Sequence, residues 1–345
     1  MSDLTGRNAT RRALLALMAV LGATVLSIGS MLGVDLYLHR RAERSAGLNR
    51  WAYRGPVLGP KQPGERRIVA LGGSTTFGYG VHWDEAWPAR LEQELGSPTR
   101  VINLGYNNEG VYSYQFTLSD FAWLTYDVAI LYTGANDSYN ATNVLNPNIQ
   151  VMRHDSPIYR VTGYFPIFPL VVREKAMLLR YGNFDDAYLG RKTVFRPSVS
   201  ARLGASTLEA ALTAERLAES GVGRIAAGRP ETDRAGAYYT SLQAVGGECG
   251  AVWAFYCHQL VTAVETGLAL GKQIVVVSEP MLSETRREQQ VLMQHVLDRH
   301  FGPRVRYLDL THAIDLADRT LAFDGMHPTP AGHRRIAQIL ADAHP

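Results

Sequence analysis

Five short runs of apolar, β-branched residues punctuate the chain: Arg67 to Leu71, Arg100 to Leu104, Asp127 to Thr133, Gln273 to Ser278 and Val305 to Leu310. Each is too short for a buried helix and is bounded by turn residues, which predicts strands. Between most of them lie stretches with helical patterning: "DEAWPARLEQELG", "AVWAFYCHQLVTAVETGLALG" and "SETRREQQVLMQHVLDRHFG", with "TPAGHRRIAQILADA" closing the chain. Strands alternating with helices predict parallel βαβ units in a three-layer α/β domain, whose functional site lies beyond the carboxyl ends of the strands.

Two regions break this rhythm. Ala13 to Leu38 is apolar or small apart from Ser, Thr and Asp35, and shows no polar face up to Met31. About 20 apolar residues cross a bilayer core, so residues 1–39 read as an N-terminal membrane anchor. Thr10, Arg11 and Arg12 resemble a twin-arginine export signal, so a cleaved leader is the alternative. Arginines flank the span on both sides (Arg7, Arg11, Arg12 and Arg40, Arg41, Arg44), so they assign no orientation. The fate of a lone N-terminal anchor ahead of a long domain favours the bulk of the chain on the outer side of the cytoplasmic membrane. Residues 40–65, rich in Arg, Gly and Pro, read as a linker, and 66–345 as the domain.

The second irregular region is an insert over about 140–248, too long for a simple connection and of the kind that forms lids, docking surfaces or mobile segments. It contains the aromatic stretches "GYFPIFPLVV" and "YGNFDDAYLG", and "TLEAALTAERLAES", which has the pattern of an amphipathic helix.

Composition narrows the function classes. With 345 residues, 46% hydrophobic and 19% charged, the chain can bury a large core. A net charge of +3 with scattered Lys and Arg gives no basic stripe for nucleic acid. The two cysteines, Cys249 and Cys257, are eight apart; on one straight helix that is about 12 Å, too far to bridge, which predicts two buried free thiols. Neither a CxxC pair nor a His/Cys cluster suggests a metal. His295 and His300, at i and i+5, diverge on a helix and read as solvated.

The candidate chemistry falls at strand ends. "RIVALGGSTTFGYGV" runs as a strand through Leu71 and breaks into Gly-Gly-Ser-Thr-Thr, which places the Ser74 hydroxyl above the sheet edge. Alone, this turn fits a phosphate cradle or a plain chain reversal equally well, and it is not the G-x-S-x-G elbow, since Thr76 replaces the last glycine. The next strand ends in "VINLGYNNEG", with Gly105 at its tip, and the third in "VAILYTGANDSYN", with Gly134, Asn136 and Asp137. A hydroxyl, an approachable backbone N–H and a side-chain amide at adjacent tips are the parts of an oxyanion site. "FDGMHPTPAGHRRIA" adds Asp324 and His327, three apart, close enough for the carboxylate to fix the imidazole tautomer. Together these residues supply what acyl transfer needs.

In these four blocks the sequence resembles the SGNH hydrolases, the GDSL esterase and lipase family: Ser74 in "LGGSTTFG", Gly105 in "NLGYNNEG", Asn136 in "TGANDS", and Asp324 with His327 in "DGMHP". The resemblance covers Arg66 to about Asn140 and Lys272 to the end. It implies a flavodoxin-like sheet of order 2-1-3-4-5, Ser74 as nucleophile, His327 as general base and acid, and Asp324 as its orienting partner. It also implies an oxyanion hole from the N–H groups of Ser74 and Gly105 and the Asn136 amide, with no cofactor and no metal. One departure is Gly73, where many members carry aspartate before the serine. The expected activity is hydrolysis of an ester, such as an acetyl group on an envelope glycan or lipid. Acyl transfer with the same triad, or an idle domain that docks a protein partner through the 140–248 insert, are the alternatives.

Overall fold

The computed structural model describes residues 2–107, 109–134, 136–137, 154, 156–169, 171–172 and 232–345. Five strands, β1 (Arg66–Leu71), β2 (Thr99–Asn103), β3 (Val128–Thr133), β4 (Gln273–Ser278) and β5 (Val305–Asp309), form one parallel sheet in the order β2-β1-β3-β4-β5. The registers are continuous, from Ile68 opposite both Val101 and Val128 to Ser278 opposite Asp309. All five lie within a residue of the predicted runs, and the order is the expected one.

Alternation along each strand builds the layers. Val69, Leu71, Ala129, Leu131, Ile274 and Val276 face one core, shared with helix α4 (Val111–Asp120), α6 (Thr232–Ala269) and α7 (Glu284–Phe301). Ile68, Ala70, Ile130, Tyr132, Val275 and Val277 face the other, where α3 (Trp87–Leu95) and α8 (Pro330–Asp342) pack. In α8, Ile336, Ala337 and Leu340 repeat at helical spacing and are fully buried. Its start is written in the sequence: Thr329 caps Gly332 N–H through its hydroxyl, and Pro330 occupies the first turn. Helix α4 was not among the predicted helices. Its Val111, Tyr114 and Leu118 are buried but its composition is aromatic and polar, without a clear apolar stripe.

The N-terminal helix α1 (Ser2–Ala46) is longer than the expected anchor. Leu14 to Val34 is exposed throughout and apolar enough to cross a membrane by length and composition. From Asp35 onward the helix docks on the domain. Asp35 and His39 are buried against the segment that follows the short helix α5 (Pro157–Thr162); Asp35 accepts hydrogen bonds from Tyr164 Oη and from Phe168 N (2.6 Å), and His39 Nε2 lies 2.7 Å from Phe165 O. The bare portion, at 1.5 Å per residue, spans about 31 Å, the thickness of a bilayer core.

The 40–65 stretch is not a free linker. Tyr53 is in the core, and the buried Arg54 guanidinium donates to Ala46 O (2.6 Å), Gly78 O (2.8 Å), Val81 O (2.5 Å) and Phe77 O. A residue type read as polar punctuation is satisfied here by the carbonyls that end helix α2 (Ser74–Phe77), the single turn after β1. Burial lowers the Arg54 pKa to about 10, partly offset by Asp84.

The cysteine expectation is also corrected. Cys249 and Cys257 form a disulfide with a Cα–Cα distance of 6.5 Å. That is about half of what eight residues of straight helix would span, so α6 does not run straight between them. The prediction failed because it assumed a regular helix. His295 and His300 are exposed on α7, as expected. Most of the 140–248 insert, including "YGNFDDAYLG" and "TLEAALTAERLAES", lies outside the described residues.

Candidate active site

Strand β1 delivers its carboxyl end to the turn Gly72–Gly73, and Ser74 opens α2, one turn closed by Phe77 N to Gly73 O (2.9 Å) and Gly78 N to Ser74 O (2.9 Å). Gly78 ends the turn at φ +84°, a left-handed conformation that favours glycine. Neither preceding glycine has room for a side chain. A Cβ on Gly72 would fall 2.0 Å from Thr76 Oγ1, and one on Gly73 would fall 2.0 Å from Asn136 Nδ2 and 2.8 Å from Glu109 O. The departure at position 73 thus has a local reason: the Asn136 amide takes up the space.

Asp324 and His327 occupy the loop between β5 and α8. Phe323 N donates to His327 O (2.9 Å), closing the loop on itself, and Gly325 turns it at φ +83°. Inside it, Asp324 Oδ1 accepts from His327 N (2.8 Å) and Met326 N (3.0 Å), while Oδ2 lies 2.7 Å from His327 Nδ1. Burial works to raise the Asp324 pKa, but those hydrogen bonds together outweigh it and leave it below the ordinary carboxylate value. Asp324 is an ionised acceptor, which puts the proton of His327 on Nδ1 and a lone pair on Nε2. His327 Nε2 is 2.9 Å from Ser74 Oγ.

Ser74, His327 and Asp324 form one hydrogen-bonded chain.

No family model matches this chain, and no curated protein matches it. Among solved structures it is similar to Est24, a carbohydrate acetylesterase from Sinorhizobium meliloti (13% identity, 81% of this chain and 98% of that one, TM-score 0.38). It is also similar to the M. smegmatis aryl esterase (16%, 81% and 98%, TM-score 0.37) and to the psychrotrophic esterase EstA from Pseudoalteromonas sp. (10%, 81% and 98%, TM-score 0.41). At this level the likeness concerns the path of the chain, and the chemistry has to be read from the residues of this protein.

Two of the three expected oxyanion donors sit beside the serine. The Ser74 N–H has no partner among the described residues, and Asn136 stands against Gly73. One amide N–H of Asn136 donates to Glu109 O (2.8 Å), which fixes the side chain and leaves the second N–H to give. Gly105 is different. Its N–H donates to Asn103 Oδ1 (3.0 Å), and a Cβ there would fall 2.5 Å from Phe77 N, so what the fold requires of Gly105 is close approach to α2. Gly110 N–H has no partner among the described residues and lies next to the carbonyl that holds Asn136.

Behind this front lies a buried polar layer that the sequence did not announce. Asp137 accepts from Val111 N (2.9 Å) and Thr133 Oγ1 (2.9 Å), tying the start of α4 to the end of β3. Burial, only partly countered by those bonds, pushes its pKa up to about 6. Gly110 must be glycine there, since a Cβ would fall 2.2 Å from Asp137 Oδ1. Glu279, after β4, accepts from Thr75 Oγ1 (2.8 Å), the residue following the serine. His333, fully buried in α8, accepts from Trp87 N (3.2 Å); burial, with Arg54 and His327 nearby, lowers its pKa to about 3, so it is a neutral structural group. The one signal for Asp137 and Glu279 was their position beyond strand ends.

Proposed function

We propose that this protein is a membrane-anchored serine esterase that removes an acyl group, such as acetyl, from an envelope glycan or lipid. One observation carries the reaction: Ser74 Oγ, His327 and Asp324 in an unbroken hydrogen-bonded chain of 2.9 and 2.7 Å. Ser74 Oγ attacks the ester carbonyl as His327 Nε2 takes its proton. The tetrahedral oxyanion forms against the Ser74 N–H and the free N–H of Asn136, with Gly105 or Gly110 as third donor; Gly105 serves once its bond to Asn103 opens. His327 then returns the proton to the leaving alcohol, and water repeats the sequence to release the acid and restore the serine.

Two features support the proposed location: the exposed apolar stretch of α1, which matches a bilayer core, and the disulfide, a cross-link typical of oxidising compartments outside the cytoplasm. The proposal puts the catalytic domain on the outer side of the membrane, where envelope glycans and lipids are found.

The test is labelling of the purified full chain by a fluorophosphonate, in wild type, Ser74→Ala and His327→Ala. Labelling that requires both residues supports an activated serine. An unlabelled, folded wild type would overturn the reading and leave a docking module.

A further inference from the structure

The esterase reading leaves open which half of the substrate is recognised and by what. In acyl transfer the leaving oxygen receives its proton from the imidazole, so the alcohol half lies on the histidine side, within hydrogen-bond distance of His327 Nε2. The acyl half is turned toward the oxyanion donors at Ser74 and Asn136. Whatever lines the histidine side therefore meets the alcohol.

That side is aromatic and open. The Tyr79 ring lies 4.8 Å from the His327 ring, inclined by 47°, and is 55% exposed. Phe323, whose N–H closes the histidine loop, is 45% exposed, and a Cβ on Gly80 would fall 3.1 Å from its ring, so the Tyr79–Gly80 turn and Phe323 are neighbours. Leu282, 52% exposed, stands by the same loop, 3.4 Å from where a Gly325 Cβ would be. Single exposed apolar side chains need no explanation; one against the imidazole and two more beside its loop do. None of them closes the core, and the site otherwise presents hydroxyl, amide and imidazole.

We propose that Tyr79 and Phe323 form the platform for the alcohol half of the ester, and that this alcohol is a ring with an apolar face. This rests on the esterase reading. An aromatic ring stacks on such a platform through its π face, and a pyranose through its C–H face. The reaction balances as ester plus Ser74 hydroxyl giving acyl-serine and free ring alcohol, then acyl-serine plus water giving acid and serine.

The experiment holds the acetyl group constant and varies the alcohol: ethyl acetate, phenyl acetate and an acetylated methyl pyranoside, assayed with the full chain in detergent. For each, kcat/KM is compared between wild type, Tyr79→Ala, Phe323→Ala and the conservative Tyr79→Phe. The expected result is that the ratio of ring to ethyl ester falls about tenfold in each alanine variant, mainly through KM, and recovers in Tyr79→Phe. A fall confined to phenyl acetate assigns an aromatic alcohol, and one confined to the pyranoside assigns a sugar. An unchanged ratio overturns the proposal, whether activity is retained or lost equally on all esters. A second reading uses wild type alone: phenol or methyl glucoside should compete with ethyl acetate at concentrations where ethanol does not, and equal inhibition by all three would overturn the platform. Failure of the esterase reading is distinguishable, because wild type would then not label with fluorophosphonate.

Discussion

A methyl group added at Gly73 would occupy the position of the Asn136 amide nitrogen, 2.0 Å away, and press on Glu109 O at 2.8 Å. Gly73 has an ordinary negative φ, so the cost is steric and falls on Asn136, the proposed oxyanion donor. Gly73→Ala is expected to lower kcat by roughly the 10²–10³-fold lost with one oxyanion donor. The loss should match that of Asn136→Ala and not add to it in the double variant. Asp324→Asn removes the carboxylate that holds the proton on His327 Nδ1. With the wrong tautomer facing Ser74, hydrolysis is expected to drop by about 10⁴-fold, with little change in melting temperature, since Asp324 is exposed. A melting curve beside the rate assay checks both halves of that expectation.

At the scale of elements, a buried carboxyl helps hold α4 to β3, beside the bond from Tyr114 Oη to Tyr132 O. Asp137 has a folded pKa of about 6, raised above its unfolded value by burial. Between the unfolded and folded pKa values the native state binds more protons than the unfolded one. Stability from this group is therefore present at low pH and lost as pH rises through about 6. At neutral pH the ionised carboxylate costs about 3 kcal/mol, about 1.4 kcal/mol for each pKa unit. Asp137→Asn keeps an acceptor for Val111 N and does not titrate. Denaturant melts from pH 4 to 7 should show wild type losing stability relative to the variant across that window. A constant difference would refute the assignment. The α2 turn is held in a comparable way by Arg54, whose guanidinium collects the carbonyls at its end. Arg54→Ala would leave those carbonyls buried and unpaired, and should cost about 2–4 kcal/mol in the same melts.

For the whole molecule, helix α1 and the domain pack together at Asp35 and His39. Asp35 holds Phe168 N and Tyr164 Oη, so the domain rests against the part of α1 that follows its exposed apolar stretch. Asp35→Ala is expected to raise amide exchange at Phe168 and its neighbours in detergent-solubilised protein, with exchange in β1 and β3 unchanged. The disulfide gives a simpler readout. Alkylation under denaturing conditions should modify no cysteine before reduction and two after it. Reactive thiols without reduction, in freshly isolated protein, would argue against the bridge and against the proposed outer location.

The five strands, the strand-end positions of Ser74 and Asn136 and the spacing of Asp324 and His327 were legible in the sequence, and the strand order through the family resemblance. Apolar runs, glycine breaks and short-range spacing are local facts. The long apolar stretch and the start of α8 were legible for the same reason. Only the tertiary structure decided the rest. Gly105 N–H is engaged by Asn103, and the space at Gly73 is filled by Asn136, because both depend on how three strand ends converge. The docking of residues 47–55 rests on Arg54 finding carbonyls more than twenty residues away. The pairing of Cys249 with Cys257 depends on α6 departing from a straight path, which spacing along a regular helix excludes. Tyr79 beside His327 joins residues almost 250 apart, and no periodicity along the chain encodes which ring will face which imidazole.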